Sequence, residues 1–163
     1  MNKKAEWVLF ALLMITLILL EALCARLAYQ TLGEIMSTVY ALLVVLNLVP
    51  LWLATRSRAA AATVAATLAL LIIPYQLLLA DRLWRVQAEA DHVLTYLHEQ
   101  RLSTGQYPAN LSEYRFHDSE MAAYVHDYQI DETQGGFVLS YSVGTPTTSH
   151  TYSPATGWTY YPD

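Results

Sequence analysis

The chain has 163 residues, 55% of them apolar, and its net charge is −5. The apolar fraction is high for a soluble domain. Residues 1–80 carry a net charge of +2, whereas residues 81–163 carry −7. An acidic surface repels phosphate backbones, so we do not expect nucleic acid as a partner. The uneven charge predicts two regions with different surroundings.

Three long apolar stretches occupy the first region, at Trp7–Leu23, Ile35–Leu53 and Ala59–Ala80. Each is close to the roughly 20 residues that a helix needs to cross a bilayer core. Because lipid offers no hydrogen-bond partners, a spanning segment must satisfy its backbone internally, as a helix does. The sequence therefore predicts a membrane α-helical bundle of three transmembrane helices over residues 1–80, in contact with lipid, and a small α+β domain over residues 81–163.

The predicted topology follows from the basic residues beside the spans. Lys3 and Lys4 precede the first span, and Arg56 and Arg58 lie between the second and the third. The loop between the first two spans holds only one arginine and one glutamate. We therefore expect a cytoplasmic N-terminus and a C-terminal domain on the opposite side. The first span is longer than the roughly 7–15 apolar residues of a signal peptide, so we expect it to be retained.

A few polar residues interrupt the spans. Glu21 is costly to place in lipid, and an intramembrane acid is a candidate functional residue. The favoured interpretation is nevertheless that Glu21 reaches the nearby interface, where Arg26 is close in sequence. We expect Asn47 to hydrogen-bond to another helix. Cys24 is the single cysteine, and we expect a buried thiol rather than a lipid attachment site.

The third span shows no evident end at the membrane boundary. Its continuation has apolar residues three and four apart, which is typical of one face of a helix: Leu83, Val86, Ala90, Val93, Leu94 and Leu97. We expect one helix over Ala59–Ser103, with a kink at Pro74 and a stop before Gly105. A turn or short helix is expected at Asn110–Tyr114, with Asn110 as its N-cap.

Alternation of aromatic or branched residues with polar ones predicts strands in the rest of the chain. The predicted strands are Tyr124–Ile130, Phe137–Val143, Ser149–Ser153 and Trp158–Tyr161. Turns rich in glycine and proline separate them. The simplest topology is an antiparallel meander of three or four strands, with one face packed on the long helix.

The helix is followed by the motif Gly105-Gln-Tyr107-Pro108-Ala-Asn-Leu111. A long helix, Gly-x-Tyr-Pro-x-x-Leu and an antiparallel sheet with a terminal aromatic hairpin together resemble the C-terminal region of type II secretion pseudopilins and other pilin-like proteins, over about residues 60–163. The resemblance implies a pilin-like periplasmic domain in a bacterium. The prepilin leader motif is not present, so it further implies a permanent three-span anchor in the inner membrane rather than a processed filament subunit.

Local physics agrees with the motif. Gly105 permits a positive φ at the helix end, and Pro108 prevents the helix from resuming. Tyr107 and Leu111 are spaced to pack back on the helix.

Candidate residues for catalysis or metal binding are sparse. The dyads His117-Asp118 and His126-Asp127 are of the kind used by metal phosphohydrolases, but the additional ligands of such a site are not evident. His92 and His98 are six residues apart on a helix and point to different faces.

An acidic loop is a second candidate. Asp127, Asp131 and Glu132 could bind calcium, as in some pseudopilins, but they lack an EF-hand pattern, so solvated side chains are the favoured interpretation. We therefore expect no metal, no cofactor and no catalytic residue.

The resulting hypothesis is a non-enzymatic membrane protein whose external domain, residues 81–163, binds a protein partner in envelope assembly or secretion. A homo-oligomer is left open. The main alternative is a membrane immunity or inhibitor protein that neutralises a toxin at the inner membrane. Two further alternatives are a hydrolase built on the His-Asp dyads and a pH sensor that uses the five histidines.

Overall fold

The computed structural model describes residues 3–55, 57–125, 127–131, 135–143 and 148–161, with side chains from residue 6 onward. The chain divides into two compact units. The first comprises Met1–Tyr29 and Gly33–Ala80, and the second comprises Gln30–Leu32 and Asp81–Asp163.

Helices form the first unit. They are α1 (Lys3–Gln30), α2 (Met36–Ala54), α3 (Arg58–Thr67), a five-residue π-helical segment (Leu68–Ile72) and the start of α4 (Ile73–Thr104). Among the described residues, three helical segments are long and apolar enough to cross a membrane, namely Glu6–Gln30, Met36–Ala54 and Arg58–Thr104. The prediction of three such helices is confirmed, as is the continuous helical course of the third.

Buried apolar side chains in the first unit form small clusters between pairs of helices. Met14 and Leu17 of α1 pack with Val64 of α3, and Cys24 of α1 packs with Val39 of α2. Cys24 is buried, as predicted. The remaining faces of these helices carry many exposed large apolar side chains. Continuous apolar surface of this kind is typical of contact with lipid or with another protein.

A kink was predicted at Pro74, and the structure has a π-helical turn immediately before that residue. Proline has no N–H to donate, and its ring would clash with the carbonyl four residues earlier, that of Leu70. Leu70 lies within the π-helical segment Leu68–Ile72, immediately before α4. A single π turn is one of the established ways in which a long helix absorbs such a conflict.

The second unit contains the rest of α4 and a four-stranded antiparallel sheet. The strands are β1 (Asp127–Asp131), β2 (Gly136–Tyr141), β3 (Ser149–Ser153) and β4 (Gly157–Tyr161), in the order β1-β2-β3-β4. The predicted meander is therefore confirmed with four strands. The residues of β2 alternate between half-buried and buried, and the buried ones are Phe137, Leu139 and Tyr141.

The amphipathic face of α4 is close to the prediction. Its buried residues are Leu83, Val86, Glu89, Ala90, Val93 and Leu97. Leu94 is only half-buried, and Glu89 was not expected on this face. The ring centroids of His98 on α4 and Phe137 on β2 lie 6.1 Å apart, so the inner face of the sheet adjoins the helix.

One strand boundary was predicted wrongly, and one local prediction is confirmed only in part. The first strand begins at Asp127 rather than Tyr124, because a 3₁₀ turn over Met121–Ala123 precedes it and buries Met121 to 2% exposure. At Asn110–Tyr114, where a turn or a short helix was expected, the turn is confirmed and the short helix is not formed, so Asn110 is not a helix cap. The side-chain oxygen of Asn110 instead accepts a hydrogen bond from the backbone N–H of Ser112 at 2.9 Å, which forms a local turn.

Candidate functional site

Strand register brings aromatic side chains from β3 and β4 onto the inner face of the sheet. Leu139 of β2 pairs with Tyr152 of β3, which pairs with Trp158 of β4. In the neighbouring row, Tyr141 pairs with His150, and His150 pairs with Tyr160. Residues that face one another across an antiparallel ladder project to the same side. We call the four members on the last hairpin, His150, Tyr152, Trp158 and Tyr160, the aromatic hairpin surface.

These rings contact one another in edge-to-face geometry. The ring of Trp158 lies 5.2 Å from that of Tyr141 and 5.4 Å from that of Tyr152, and His150 lies 5.5 Å from Tyr160. Such pairs stabilise by about 0.5–1.5 kcal/mol beyond their buried area. Leu139 is fully buried, whereas Trp158 is 37% exposed. The aromatic cluster therefore extends from the core to the protein surface.

The opposite face of the sheet has a different chemistry. Ser140 of β2 and Thr151 of β3 hydrogen-bond through their hydroxyl groups at 2.9 Å, and Thr159 is the ladder partner of Thr151. Asp127 and Asp131 lie at the two ends of β1, about 13 Å apart for an extended strand. A single calcium ion cannot contact both at that distance, so the calcium alternative was wrong for this pair, while Glu132 lies outside the described residues.

The Gly-x-Tyr-Pro-x-x-Leu motif connects the end of α4 to the sheet. Gly105 has φ +80, as predicted, and its N–H donates to the carbonyl of Arg101 at 2.8 Å. The Arg101 guanidinium lies 4.8 Å from the centre of the Tyr107 ring and donates to its hydroxyl at 2.8 Å. The Tyr107 ring is also 4.7 Å from that of Phe137. Tyr107 thus packs on the helix as expected, and Leu111 is half-buried in the following turn.

Pro108 is held by the sheet. The hydroxyl of Tyr128 on β1 donates to the carbonyl of Pro108 at 2.7 Å. Burial is the main cause that raises the pKa of Tyr128 to about 12. The motif residues Gly105, Tyr107 and Pro108 therefore join the helix end to the sheet, and their contacts are those of a structural junction.

Sequence reasoning missed Glu89, a buried carboxylate on α4 with 2% exposure. It accepts hydrogen bonds from the hydroxyl of Tyr114 at 2.8 Å and from the backbone N–H groups of His117 and Asp118 at 3.1 and 2.9 Å. Burial and the adjacent Glu89 carboxylate raise the pKa of Tyr114. The available signal was an acid within the apolar repeat of α4, one residue before Ala90.

Ion pairs also join Asp118 and Glu120 to α4. Arg85 contacts the carboxylates of Asp118 and Glu120 at 2.6 and 2.9 Å. The side chains of the His117-Asp118 dyad therefore have different partners, because the Asp118 carboxylate forms an ion pair with Arg85. The second dyad cannot be placed, since His126 lies outside the described residues.

Glu21 forms a polar cluster inside the first unit. It is 1% exposed and accepts hydrogen bonds from Asn47 of α2 at 2.5 Å and from Gln76 of α4 at 3.1 Å. The expected interhelical hydrogen bond of Asn47 is confirmed. The favoured expectation that Glu21 reaches the interface beside Arg26 was wrong, because its carboxylate is buried and bonded to side chains of two other helices.

The pseudopilin resemblance depends on the short motif from Gly105 to Leu111 and on the order of helix and strands. No protein-family model, no curated protein and no solved structure matches this chain. The resemblance therefore stays a prediction from the sequence.

Proposed function

We propose that the chain is a non-enzymatic integral protein of a bacterial inner membrane, whose second unit lies in the periplasm and binds a protein partner in envelope assembly or secretion. The observation that carries the proposal is the aromatic hairpin surface. Partly exposed Trp and Tyr side chains provide large contact areas with little loss of conformational entropy, and they dominate the energetics of protein interfaces. Trp158 in particular is in contact with three neighbouring rings and is still 37% exposed.

Membrane anchoring is supported by the exposed apolar helices of the first unit. Leu19, Val44 and Leu70 are each at least 65% exposed. Trp7 and Trp52, near ends of the apolar segments, are more than half exposed as well, and such rings favour the interface of a bilayer. The basic residues near the N-terminus and between α2 and α3 support a cytoplasmic location for both.

The membrane arrangement is tested with reporter fusions in the native host. A reporter active only in the periplasm is fused after residue 163 and, in a second fusion protein, inserted beside Ser57. We expect activity from the first fusion alone. Activity from the Ser57 insertion alone, or recovery of the full chain in the soluble fraction without detergent, would contradict the proposed arrangement.

Partner binding is tested by photo-crosslinking at adjacent positions. A photoreactive phenylalanine derivative replaces Trp158, on the inner face of β4, or Thr159, on its outer face. We expect Trp158 to yield one defined crosslinked protein and Thr159 to yield none. Trp158→Ala should weaken binding of that protein by at least about 30-fold, which corresponds to a hot-spot residue. Equal crosslinking from the two positions would contradict a role for this surface.

The immunity or inhibitor alternative is favoured by the charge of −7 on residues 81–163. A basic toxin would be attracted to such a surface, and the attraction would weaken as salt is added. Binding to the isolated partner is therefore measured at low and high salt. Loss of binding at high salt with no effect of Trp158→Ala supports the inhibitor, whereas salt-resistant binding that depends on Trp158 supports the aromatic interface.

A further inference from the structure

Two histidines and the buried glutamate converge beside α4. Glu89 and His92 lie three residues apart on the helix, and His117 belongs to the segment that Glu89 holds. One ligand atom from each of the three lies within 4.8 Å of the other two. The rings of His92 and His117 have centroids 4.3 Å apart, and Nδ1 of His117 is 3.9 Å from Glu89 Oε1.

We propose that Glu89, His92 and His117 bind a divalent transition metal ion, with Zn²⁺ as the best match. Imidazole nitrogen and carboxylate oxygen are both established zinc ligands, and two histidines with one glutamate form a common three-ligand set. A Glu-x-x-His spacing places both side chains on one face of a helix, where they can approach the same ion. The negative charge of residues 81–163 favours a cation at this surface.

The distances fit a site that closes on the ion. Zinc–nitrogen bonds of about 2.1 Å in tetrahedral geometry require ligand atoms about 3.4 Å apart. The three ligand atoms therefore have to approach one another by roughly 1–1.5 Å at most. His92 is exposed and the His117 side chain is 65% exposed, so rotation about their side-chain bonds can supply this movement. Glu89 stays in place because three hydrogen bonds orient it.

Those hydrogen bonds leave capacity for a metal. A carboxylate offers about four lone-pair sites, and the described residues occupy three of them, two on Oε1 and one on Oε2, so the remaining site for an ion is on Oε2. Donors that orient a ligating carboxylate support metal binding in the same way as the outer contacts of known sites. Arg85 lies one turn before Glu89 on α4, and its charge is offset by Asp118 and Glu120. A fourth coordination position would face solvent between the two exposed histidines.

The test measures zinc binding to the full chain in detergent micelles, after removal of any polyhistidine tag. Zn²⁺ is titrated against a chromophoric chelator of known affinity. We expect one equivalent to bind tightly, and His92→Ala or His117→Ala to weaken binding at least about tenfold. His98→Ala is the matched control, because His98 is exposed on the same helix but contacts Tyr107 and Phe137 instead.

Two further measurements make the outcome decisive. Co²⁺ in place of Zn²⁺ should give an absorption spectrum of mixed nitrogen and oxygen coordination, which His117→Ala abolishes. Zn²⁺ should also slow amide exchange in residues 111–120. Unchanged circular dichroism of the variants shows that they remain folded. Absence of one-to-one binding, or equal weakening by His98→Ala, overturns the proposal.

Discussion

Each of the two units contains a fully buried glutamate, and the partners of the two differ in kind. Glu21 receives side-chain amide donors from two other helices, Asn47 and Gln76. Glu89 receives two backbone N–H groups and one tyrosine hydroxyl from a segment without regular secondary structure. The first carboxylate therefore joins helices to one another, whereas the second holds an irregular segment against a helix.

The difference reflects which hydrogen-bonding groups each environment leaves without a partner. In a helical bundle every interior backbone group is already paired, so only side chains remain to bond with a buried acid. In the second unit the segment between Tyr114 and Asp118 lacks a ladder or helix, and its N–H groups need acceptors. Glu89 supplies them. A buried acid thus adds specificity between helices in one unit and replaces missing backbone hydrogen bonds in the other.

The largest expected effect is the loss of Glu89. Glu89→Leu leaves the N–H groups of His117 and Asp118 and the hydroxyl of Tyr114 without their acceptor, which should reduce the local stability of the second unit by about 3 kcal/mol. Hydrogen exchange of residues 111–120 measures the loss directly. Glu89→Gln should cost less, because an amide oxygen still accepts.

Glu99→Leu is the matched control on the exposed side of α4. We expect it to change stability by less than about 0.5 kcal/mol. Exchange in the helices of the first unit should be the same in all three variants. Accelerated exchange in both units after Glu89→Leu would show that the two carboxylates do not act separately.

A smaller effect is expected in the first unit. Glu21→Leu leaves the Asn47 and Gln76 amides without their shared acceptor, and interhelical hydrogen bonds in membranes are worth about 0.6–1.7 kcal/mol each. Unfolding in mixed detergent micelles should therefore shift by about 1–2 kcal/mol. The membrane insertion proposed above should not suffer, since leucine is more apolar than glutamate.

Glu21→Gln separates charge from hydrogen bonding. The neutral amide keeps an acceptor for Asn47 or Gln76, so we expect most of the stability to be retained. Glu6→Leu serves as the control, because Glu6 is exposed on α1. If Glu21→Gln were as damaging as Glu21→Leu, the charge of Glu21 rather than its hydrogen bonds would be its essential property.

The sequence predicted the elements better than the contacts between them. Three apolar helices, the long third helix and four strands follow from length and periodicity, which are local properties of the chain. Glu89 and its partner Tyr114 are 25 residues apart, and Glu21 and Gln76 are 55 apart. Periodicity identifies the face on which an acid lies, but it carries no information about which distant group will meet that acid.

The same limit explains the errors in the second unit. The alternation from Tyr124 to Ile130 is typical of a strand, yet burial of Met121 in a 3₁₀ turn delays the strand to Asp127. Tertiary packing, here the burial of Met121, outweighs the strand propensity of the residues around Tyr124. The contact between His92 and His117 could not be predicted either. Helical periodicity relates His92 only to residues of the same helix, such as His98, whereas His117 belongs to a later segment.

Gly105 tests a backbone conformation that the sequence did predict, the positive φ at the end of α4. Gly105→Ala places a side chain on a backbone with φ +80, where no atom lies within 4 Å of the new Cβ. The cost is therefore conformational rather than steric crowding, and we expect a loss of about 1 kcal/mol in the second unit.

Gly136→Ala is the control for Gly105. Its Cβ would meet Pro154 at an ordinary 3.7 Å, and the position has no positive φ. Amide hydrogen exchange in β2 and β3 compares the stability of the second unit in the two variants. An equal loss from both would mean that β2 requires its glycine as strictly as the helix end does.

Tyr128 gives the smallest effect and the most specific one. Its pKa is raised mainly by burial to about 12, compared with about 10 for an exposed phenol. The neutral phenol is therefore favoured in the folded state. Its contribution to the stability of the second unit is fully present below about pH 10 and is lost as the pH rises toward 12.

Phenolate absorbance should show a late-titrating tyrosine that Tyr128→Phe removes, leaving the late titration of Tyr114. Tyr161→Phe, at a position 53% exposed on the outer face, should leave the alkaline unfolding of the second unit unchanged. Persistence of both late titrations in Tyr128→Phe would assign them to other tyrosines and would contradict the burial of the Tyr128 hydroxyl as the cause of a raised pKa.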